Sequence, residues 1–573
     1  MPVAADAPKI LPSPSVRVRA SKVGRWRALV LLAVHALIAL HVAHWMSTGT
    51  TLSPLEPSES MEFTREGLLN AGAIFFALTI GSTLLLGRWF CGWACHIVAL
   101  QDGARWLLRR VGWNPKELDV GPLAAVPWLA AVYMFVAPAA VRLVIEGGLA
   151  PKEVHLTTTD FWKTFPDWPV ALLTFVVCGG LAVLLLGSKG FCTSACPYAG
   201  LFGIADQLAP WRIRVNSACN GCGHCTAVCT SNVKVHAEVR DYGTVVDAGC
   251  MKCMDCVSSC PNGALRVGFG WPAWLTKAKS SVQNNIQGAL RKWDLGRELV
   301  ALGFTLAAVA VFHYYDGVRS AYVNAPNWWV VMGIAFGAWA IGLVFRSRAA
   351  KRRGTTAGED ALLAVLFVGC MYAVRGLYGW MPFLLSLGTS SIVAYMGLAA
   401  WRAVRSSDYA LQHWTLRAHG RWTRAGFIYL ALMTVVYGGA GYGASEQVAL
   451  ARNARAQEVN HHGLRAAQRG DMEQAIRDFA EARRLDADLA EARDNLAGAY
   501  CAVGRYAEGL ELFEVSLQAR PQDLDTRLLA VRAAMEAKLT QRALGHLEVA
   551  LRSSPNDQAL LELRQRLLNA RDQ

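Results

Sequence analysis

Residues 219–229 read CNGCGHCTAVC, and residues 250–261 read CMKCMDCVSSCP. Both runs space their cysteines as Cys-x2-Cys-x2-Cys-x3-Cys, and the second ends in Cys-Pro. Three thiolates at that spacing cap one face of an iron–sulfur cube, and in the two-cluster arrangement the fourth cysteine of each run serves the other cube. The runs therefore predict two [4Fe–4S] clusters. One takes Cys219, Cys222, Cys225 and Cys260; the other takes Cys250, Cys253, Cys256 and Cys229. Gly221 and Gly223 permit tight turns that aim backbone N–H groups at sulfur. Paired Cys-x2-Cys runs also bind zinc, but two complete four-cysteine runs favour clusters.

Around these runs the chain turns apolar. It is 573 residues long, 53% hydrophobic and 17% charged, where a soluble domain is nearer about one-quarter charged. The fifteen cysteines are clustered rather than scattered, which argues for metal ligation over a secreted disulfide framework. A net charge of +14 in such a chain marks cytoplasmic loops, so no nucleic-acid partner is read from it.

A spanning helix needs about 20 mostly apolar residues. Candidate stretches run over 27–47, 67–87, 122–144, 168–187, 298–315, 327–345, 361–379, 382–401 and 425–443. Arg17, Arg19, Lys22, Arg25 and Arg27 lead into the first, which reads as a retained anchor with its N-terminus inside. The 48–66 loop carries Glu56, Glu59, Glu62 and Glu66, which suits the outside. Loops 88–120, 346–360 and 402–424 are rich in arginine and fall inside.

The expected fold is mostly α. About nine membrane helices carry an inserted two-cluster ferredoxin domain of small α+β type, and a C-terminal α-solenoid follows. The expected divisions are a basic cytoplasmic N-terminus (1–26), a four-span core (27–210), the cytoplasmic ferredoxin domain (211–270), a linker (271–297), a five-span region (298–445) and extracytoplasmic repeats (446–573). The setting is a bacterial inner membrane.

Two further motifs lie in the core. GRWFCGWACHIVALQD holds Cys91 and Cys95; GSKGFCTSACPYAGLFGIAD holds Cys192 and Cys196. Both follow a span ending LLLG, and the pairs stand 101 residues apart, as in an internal duplication. Packed together, the two hairpins bring four thiolates to one place. These can ligate a further cluster, bind a metal ion or cycle as dithiols. Cys178, Cys370 and Cys501 read as packing residues.

This combination resembles the membrane polyferredoxins of periplasmic nitrate reductase systems, the core of the nitrous-oxide reductase regulator and the cytochrome oxidase accessory protein. The resemblance covers roughly residues 27–265. It carries over to Cys91, Cys95, Cys192, Cys196 and Pro197, and to the eight ferredoxin cysteines. It implies electron transfer between quinol and a partner, or reduction of a metal during maturation. The first motif departs from the family pattern: His96 stands where Pro is usual, and is a candidate extra ligand.

Histidines within spans are functional candidates. His41 and His44 near the outer end of the first stretch, and His313 near that of the fifth, suggest a quinol or haem site with Glu56 and Glu59, or hydrogen bonding at the membrane interface.

From about residue 456 a period of 34 emerges, the tetratricopeptide period. Ala475, Gly509 and Ala543 align, as do Phe479, Phe513 and Leu547; Gly470, Gly504 and Lys538; and Ala487, Pro521 and Pro555. Such repeats stack into a solenoid that binds protein. Three readings follow: a membrane electron-transfer protein, its donor a quinol or a cytoplasmic reductant and its partner docked by the repeats; a copper-reducing maturation factor; and a redox sensor. The first is favoured.

Overall fold

The computed structural model describes Arg19 and residues 21–116, 118–162, 167–278, 295–315, 355–377 and 382–571, with a few positions between 333 and 339. The expected stretch 327–345 lies almost wholly outside the described residues. The chain divides into two units, Met1–Ala444 and Ser445–Gln573.

In the first unit, apolar runs of spanning length become helices. Among the described residues six helices are long and apolar enough to cross a membrane: Gly24–Thr48, Gly121–Ala140, Trp168–Leu186, Ala357–Val374, Phe383–Arg405 and Arg424–Gln468. A shorter apolar helix covers Ala71–Leu86, and Leu295–Tyr315 is helical for 21 residues. Leu32, Leu37 and Leu40 of the first helix are each 65% exposed. A helix that shows leucine on its open faces is built for lipid.

Close backbone approach holds the core together. A Cβ on Gly200 would lie 2.4 Å from the carbonyl oxygen of Pro127, and one on Gly190 2.5 Å from that of Ala182. Phe76, Phe90, Phe135 and Phe202 pack as one aromatic group. The later helices join this core rather than standing apart. Phe312 meets Tyr133 and Phe383, and Ser391 Oγ donates to the Ser194 carbonyl at 2.9 Å. The helix Phe383–Arg405 thus braces the turn that carries Cys192 and Cys196.

The 48–66 segment is folded against the first unit. Ser53, Glu59 and Ser60 are buried, and Asn70 donates through Nδ2 to the Glu59 carbonyl oxygen. Short strands tie it down: Thr51–Leu52 pairs antiparallel with Thr157–Thr158, and Leu68–Asn70 pairs parallel with Glu153–His155. Ser53 donates its N–H to the Leu156 carbonyl. Glu56, Glu59 and Glu62 are partnered within the fold, by His96 and Asn70; Glu66 is exposed.

The cysteine-rich segment folds as a small α+β layer. Arg212–Val215 pairs antiparallel with Leu265–Gly268, Arg212 opposite Gly268 and Val215 opposite Leu265. Three short helices, His224–Ala227, Val235–Tyr242 and Asp255–Ser258, cover it. Its small core holds Ile213, Val233, Val239, Val245 and Leu265 together with Cys250 and Cys256.

The second unit is a stack of antiparallel helices. Met472–Leu485, Ala490–Ala502, Tyr506–Ala519, Leu524–Glu536, Thr540–Ser553 and Gln558–Arg571 follow the end of Arg424–Gln468. The turns at Gly470, Gly504 and Lys538 all have positive φ. A Cβ on Gly509 would lie 2.5 Å from Cys501 Sγ, and one on Gly463 2.7 Å from the Phe479 ring. The period of 34 is therefore a packing period: small residues let neighbouring helices touch, while Phe479, Phe513 and Leu547 fill the spaces between.

Candidate iron–sulfur centres

The eight cysteines of the two runs separate into two sets of four. Cys219, Cys222, Cys225 and Cys260 line one cavity, open in part to solvent. Cys229, Cys250, Cys253 and Cys256 line a second. Each set contains the fourth cysteine of the other run, as the spacing predicts. Among the described residues no group of three or more His, Cys, Asp or Glu converges on a single ion. Four thiols drawn from both runs around each space suit a multi-iron group that the two runs share.

The turns that present these thiols are left-handed at matched positions. Gly221 and Gly223 have φ +74° and +77°, and in the second run Lys252 and Met254 have φ +50° and +64°. Such backbone is cheap for glycine but costs other residues on the order of 1–3 kcal/mol. The second run meets this cost with contacts. Lys252 Nζ reaches Asp206 Oδ1 at 2.6 Å, its carbonyl accepts from Trp93 Nε1 at 3.0 Å, and Met251 is buried in the main core.

Burial pushes the Cys225 thiol up to about 11 and the Cys253 thiol up to about 12. It also raises Cys229 and Cys256 well above the ordinary thiol range. Such thiols are neutral at pH 7 unless a bound cation takes the proton's place. A bound iron–sulfur group would supply that charge.

The two Cys-x3-Cys motifs also come together. Cys91 and Cys192 are buried beside Cys95 and Cys196 in one core. Burial first, then the neighbouring thiols, raises the Cys95 and Cys196 values. Two side chains donate to sulfur: Arg88 Nε to Cys91 Sγ and Gln101 Nε2 to Cys192 Sγ, each at 3.1 Å. N–H···S bonds of this kind fit a thiolate or a sulfur that ligates iron. His96 does not turn to the quartet as a ligand through Nδ1, which faces Glu56 Oε1 at 3.4 Å. Its ring stands edge-on to Phe175.

A crossed network of buried ions locks the quartet to the cysteine-rich layer. Arg27, on the first apolar helix, reaches Asp102 at 2.7 Å and Asp255 at 2.9 Å. Lys189, three residues before Cys192, meets Asp102 at 2.6 Å. Arg212 and Lys252 share Asp206, which also accepts from the Arg88 backbone N–H at 3.0 Å. A Cβ on Gly92 would lie 2.2 Å from the Met251 carbonyl oxygen, so the second cysteine run sits directly on the helix bearing Cys91.

Sequence reading missed Arg27, Arg88, Gln101, Asp102, Asp206 and Lys252 as site residues. One signal was available: Arg88 and Lys189 stand at the same place in the two motifs, three before Cys91 and Cys192. The histidines expected at an outer site are held by backbone and hydroxyl. His41 Nε2 is 3.0 Å from the Leu52 carbonyl oxygen, and His44 Nδ1 is 2.9 Å from Thr51 Oγ1. The His313 side chain lies outside the described residues.

A model of the 4Fe-4S binding domain matches residues 70–114 and 168–216, one Cys-x3-Cys motif in each part. A 4Fe-4S dicluster domain matches 218–265, and a tetratricopeptide repeat matches 502–567. The chain is 27% identical over 270 residues to the putative electron transport protein YccM of Escherichia coli (strain K12), covering 41% of this chain and 72% of that protein. It is 25% identical over 203 residues to the ferredoxin-type protein NapH of the same organism, covering 34% and 66%. It is 26% identical over 192 residues to the methylamine utilization ferredoxin-type protein MauN of Methylorubrum extorquens, covering 31% and 58%. The chain thus spans just under two thirds of NapH and less of MauN. It is similar to membrane polyferredoxins and carries tetratricopeptide repeats in addition.

Proposed function

We propose that this chain is a membrane-bound electron-transfer protein with three iron–sulfur sites in series. Cys91, Cys95, Cys192 and Cys196 hold the first. Cys229, Cys250, Cys253 and Cys256 hold the second, and Cys219, Cys222, Cys225 and Cys260 the third. The observation that carries this reading is the seating of Met251 and Lys252 on the helix of Cys91, through Gly92 and Trp93. It brings the second site against the first, while Cys219 of the third is exposed. When bound, the groups supply one-electron carriage.

The chain's own residues fix the spacing and keep water out. Phe90, Phe191 and Phe202 are buried around the quartet. Asp206 and Asp102 hold the cations that clamp the layers. The names of YccM and NapH, electron transport and ferredoxin-type, agree with this role. The donor is a quinol of the membrane or a cytoplasmic reductant. The repeats dock a partner protein, on the extracytoplasmic side of a bacterial inner membrane.

Anaerobic EPR of the purified chain, before and after a reduced quinol, tests the reading. Cubane signals that grow with quinol support it with quinol as donor. Signals that answer only dithionite move the donor to the cytoplasm. Iron content too low for any cube would overturn it. Protease added to intact spheroplasts should clip the repeats; full protection would place them inside.

A further inference from the structure

The duplicated motifs are matched in backbone but not in charge. Lys189 is neutralised by Asp102 at 2.6 Å. Arg88, at the equivalent place, is 4% exposed and makes no ion pair with a carboxylate among the described residues. Its Nε donates to Cys91 Sγ and its Nη1 to the Ala248 carbonyl oxygen, both at 3.1 Å. Its Nη2 is buried with no hydrogen-bond partner among the described residues.

The whole network shows the same imbalance. Five buried cations, Arg27, Arg88, Lys189, Arg212 and Lys252, face three carboxylates, Asp102, Asp206 and Asp255. A buried guanidinium without a counter-ion is costly. It is tolerable where an anion completes the site. Four thiolates around an iron–sulfur group make such an anion, and its charge grows by one on reduction.

We propose that Arg88 is the charge-compensating residue of the Cys91/Cys95/Cys192/Cys196 site: it favours the added electron there, making that site the electron sink of the series. This rests on reading the quartet as an iron–sulfur site. Arg88 touches that site directly through Cys91 Sγ. It reaches the neighbouring site only through the Ala248 carbonyl, two residues before Cys250. Its charge therefore weighs more on the quartet than on the cube, since Coulomb energy falls with distance. Gln101 gives Cys192 a neutral donor at the same length, which separates the effect of charge from that of a hydrogen bond. Arg88 is a positioning and tuning residue, and no proton is transferred to or from it.

The test is an EPR redox titration of the full chain with iron content measured in parallel, for wild type, Arg88→Gln and Arg88→Lys. Arg88→Gln should keep its iron. At the potential where the wild-type quartet is half reduced, its oxidised-to-reduced ratio should rise at least about tenfold, a midpoint about 59 mV lower. The cube of Cys250 should move less. Arg88→Lys, which keeps the charge, should stay within about threefold of wild type. An unmoved Arg88→Gln midpoint overturns the proposal. Where Arg88→Gln loses the quartet's iron, Arg88→Lys decides: a kept midpoint supports the role of charge, and a tenfold fall overturns it. Wild-type protein with iron for two cubes alone overturns the quartet reading itself, before any variant is compared.

Discussion

Lys252, between two cysteines of the second run, drives its ammonium into Asp206 on the helix that follows Cys196, at 2.6 Å, with both side chains at most 1% exposed. The same carboxylate holds Arg212 at 3.0 Å. One buried anion therefore ties a ferredoxin loop, a ferredoxin strand and a helix beside the quartet. Asp206→Asn leaves two buried cations uncompensated, and removing one partner of a buried pair costs about 3–5 kcal/mol. The expected result is release of the cysteine-rich layer, read as faster protease cleavage within 211–270 and a lower melting temperature. The double change Asp206→Asn with Lys252→Met should be milder than Asp206→Asn alone. If it is not, the pair is not what holds the layers together.

Gly92 marks the contact from the other side. A Cβ there would meet the Met251 carbonyl oxygen at 2.2 Å, and the atoms it meets are all backbone. Overpacking of this kind costs about 1–3 kcal/mol. Gly92→Ala should slow electron equilibration between the quartet and its neighbour in freeze-quench EPR, with the iron content retained. Unchanged kinetics would show that the seating does not matter for transfer.

The two cubes should fail independently. Cys222→Ser should remove the iron of the exposed site, and Cys253→Ser that of the buried one, because these cysteines line different cavities. Iron analysis with EPR of each variant checks this. Loss of both sets from the Cys222 variant would mean that they assemble as one unit.

Acid should undo the clamp late. Burial opposes ionisation of Asp206, but Lys252 and Arg212 outweigh it and hold the carboxyl below its ordinary range. Lys189 and Arg27 do the same for Asp102. A folded value below the unfolded one contributes stability above the unfolded value, about 3.9, and that stability is lost as pH falls through the folded value. The melting temperature of the apoprotein in detergent should be flat from pH 8 to about 5 on this account and should fall below about 4. Asp102→Asn should flatten that fall, and an equal fall in the variant would assign it to other groups.

In the repeats, Phe513 is 1% exposed between helices. Phe513→Ala should cost about 3–5 kcal/mol and open the second unit to protease, leaving the EPR signals of the full chain in place. Loss of those signals would mean that the units do not fold separately.

Spacing alone divides the thiols into the same two sets that line the two cavities, because their grouping is a local matter of turns and short helices. Period alone gave the repeats, because Ala475, Gly509 and Ala543 must be small wherever helices touch. Span counting was less complete. Apolar length predicts a helix, yet it said nothing of the 48–66 segment folding inward, where Glu59 is buried beside Asn70. Arg27 shows the limit most clearly. By sequence it is one more basic residue flagging the inner side of a span; in the fold it is a buried clamp between Asp102 and Asp255.

The sequence by itself determined which thiols group together, which stretches are apolar enough to span a membrane and which helices repeat, since each depends on residue type at short or periodic spacing. Tertiary structure alone decided that the second cysteine run sits on the first Cys-x3-Cys motif, and that among the described residues Arg88 lacks the carboxylate Lys189 has. The partners of Arg27 in this buried network lie 75 and 228 positions away in the chain, and no local pattern encodes them.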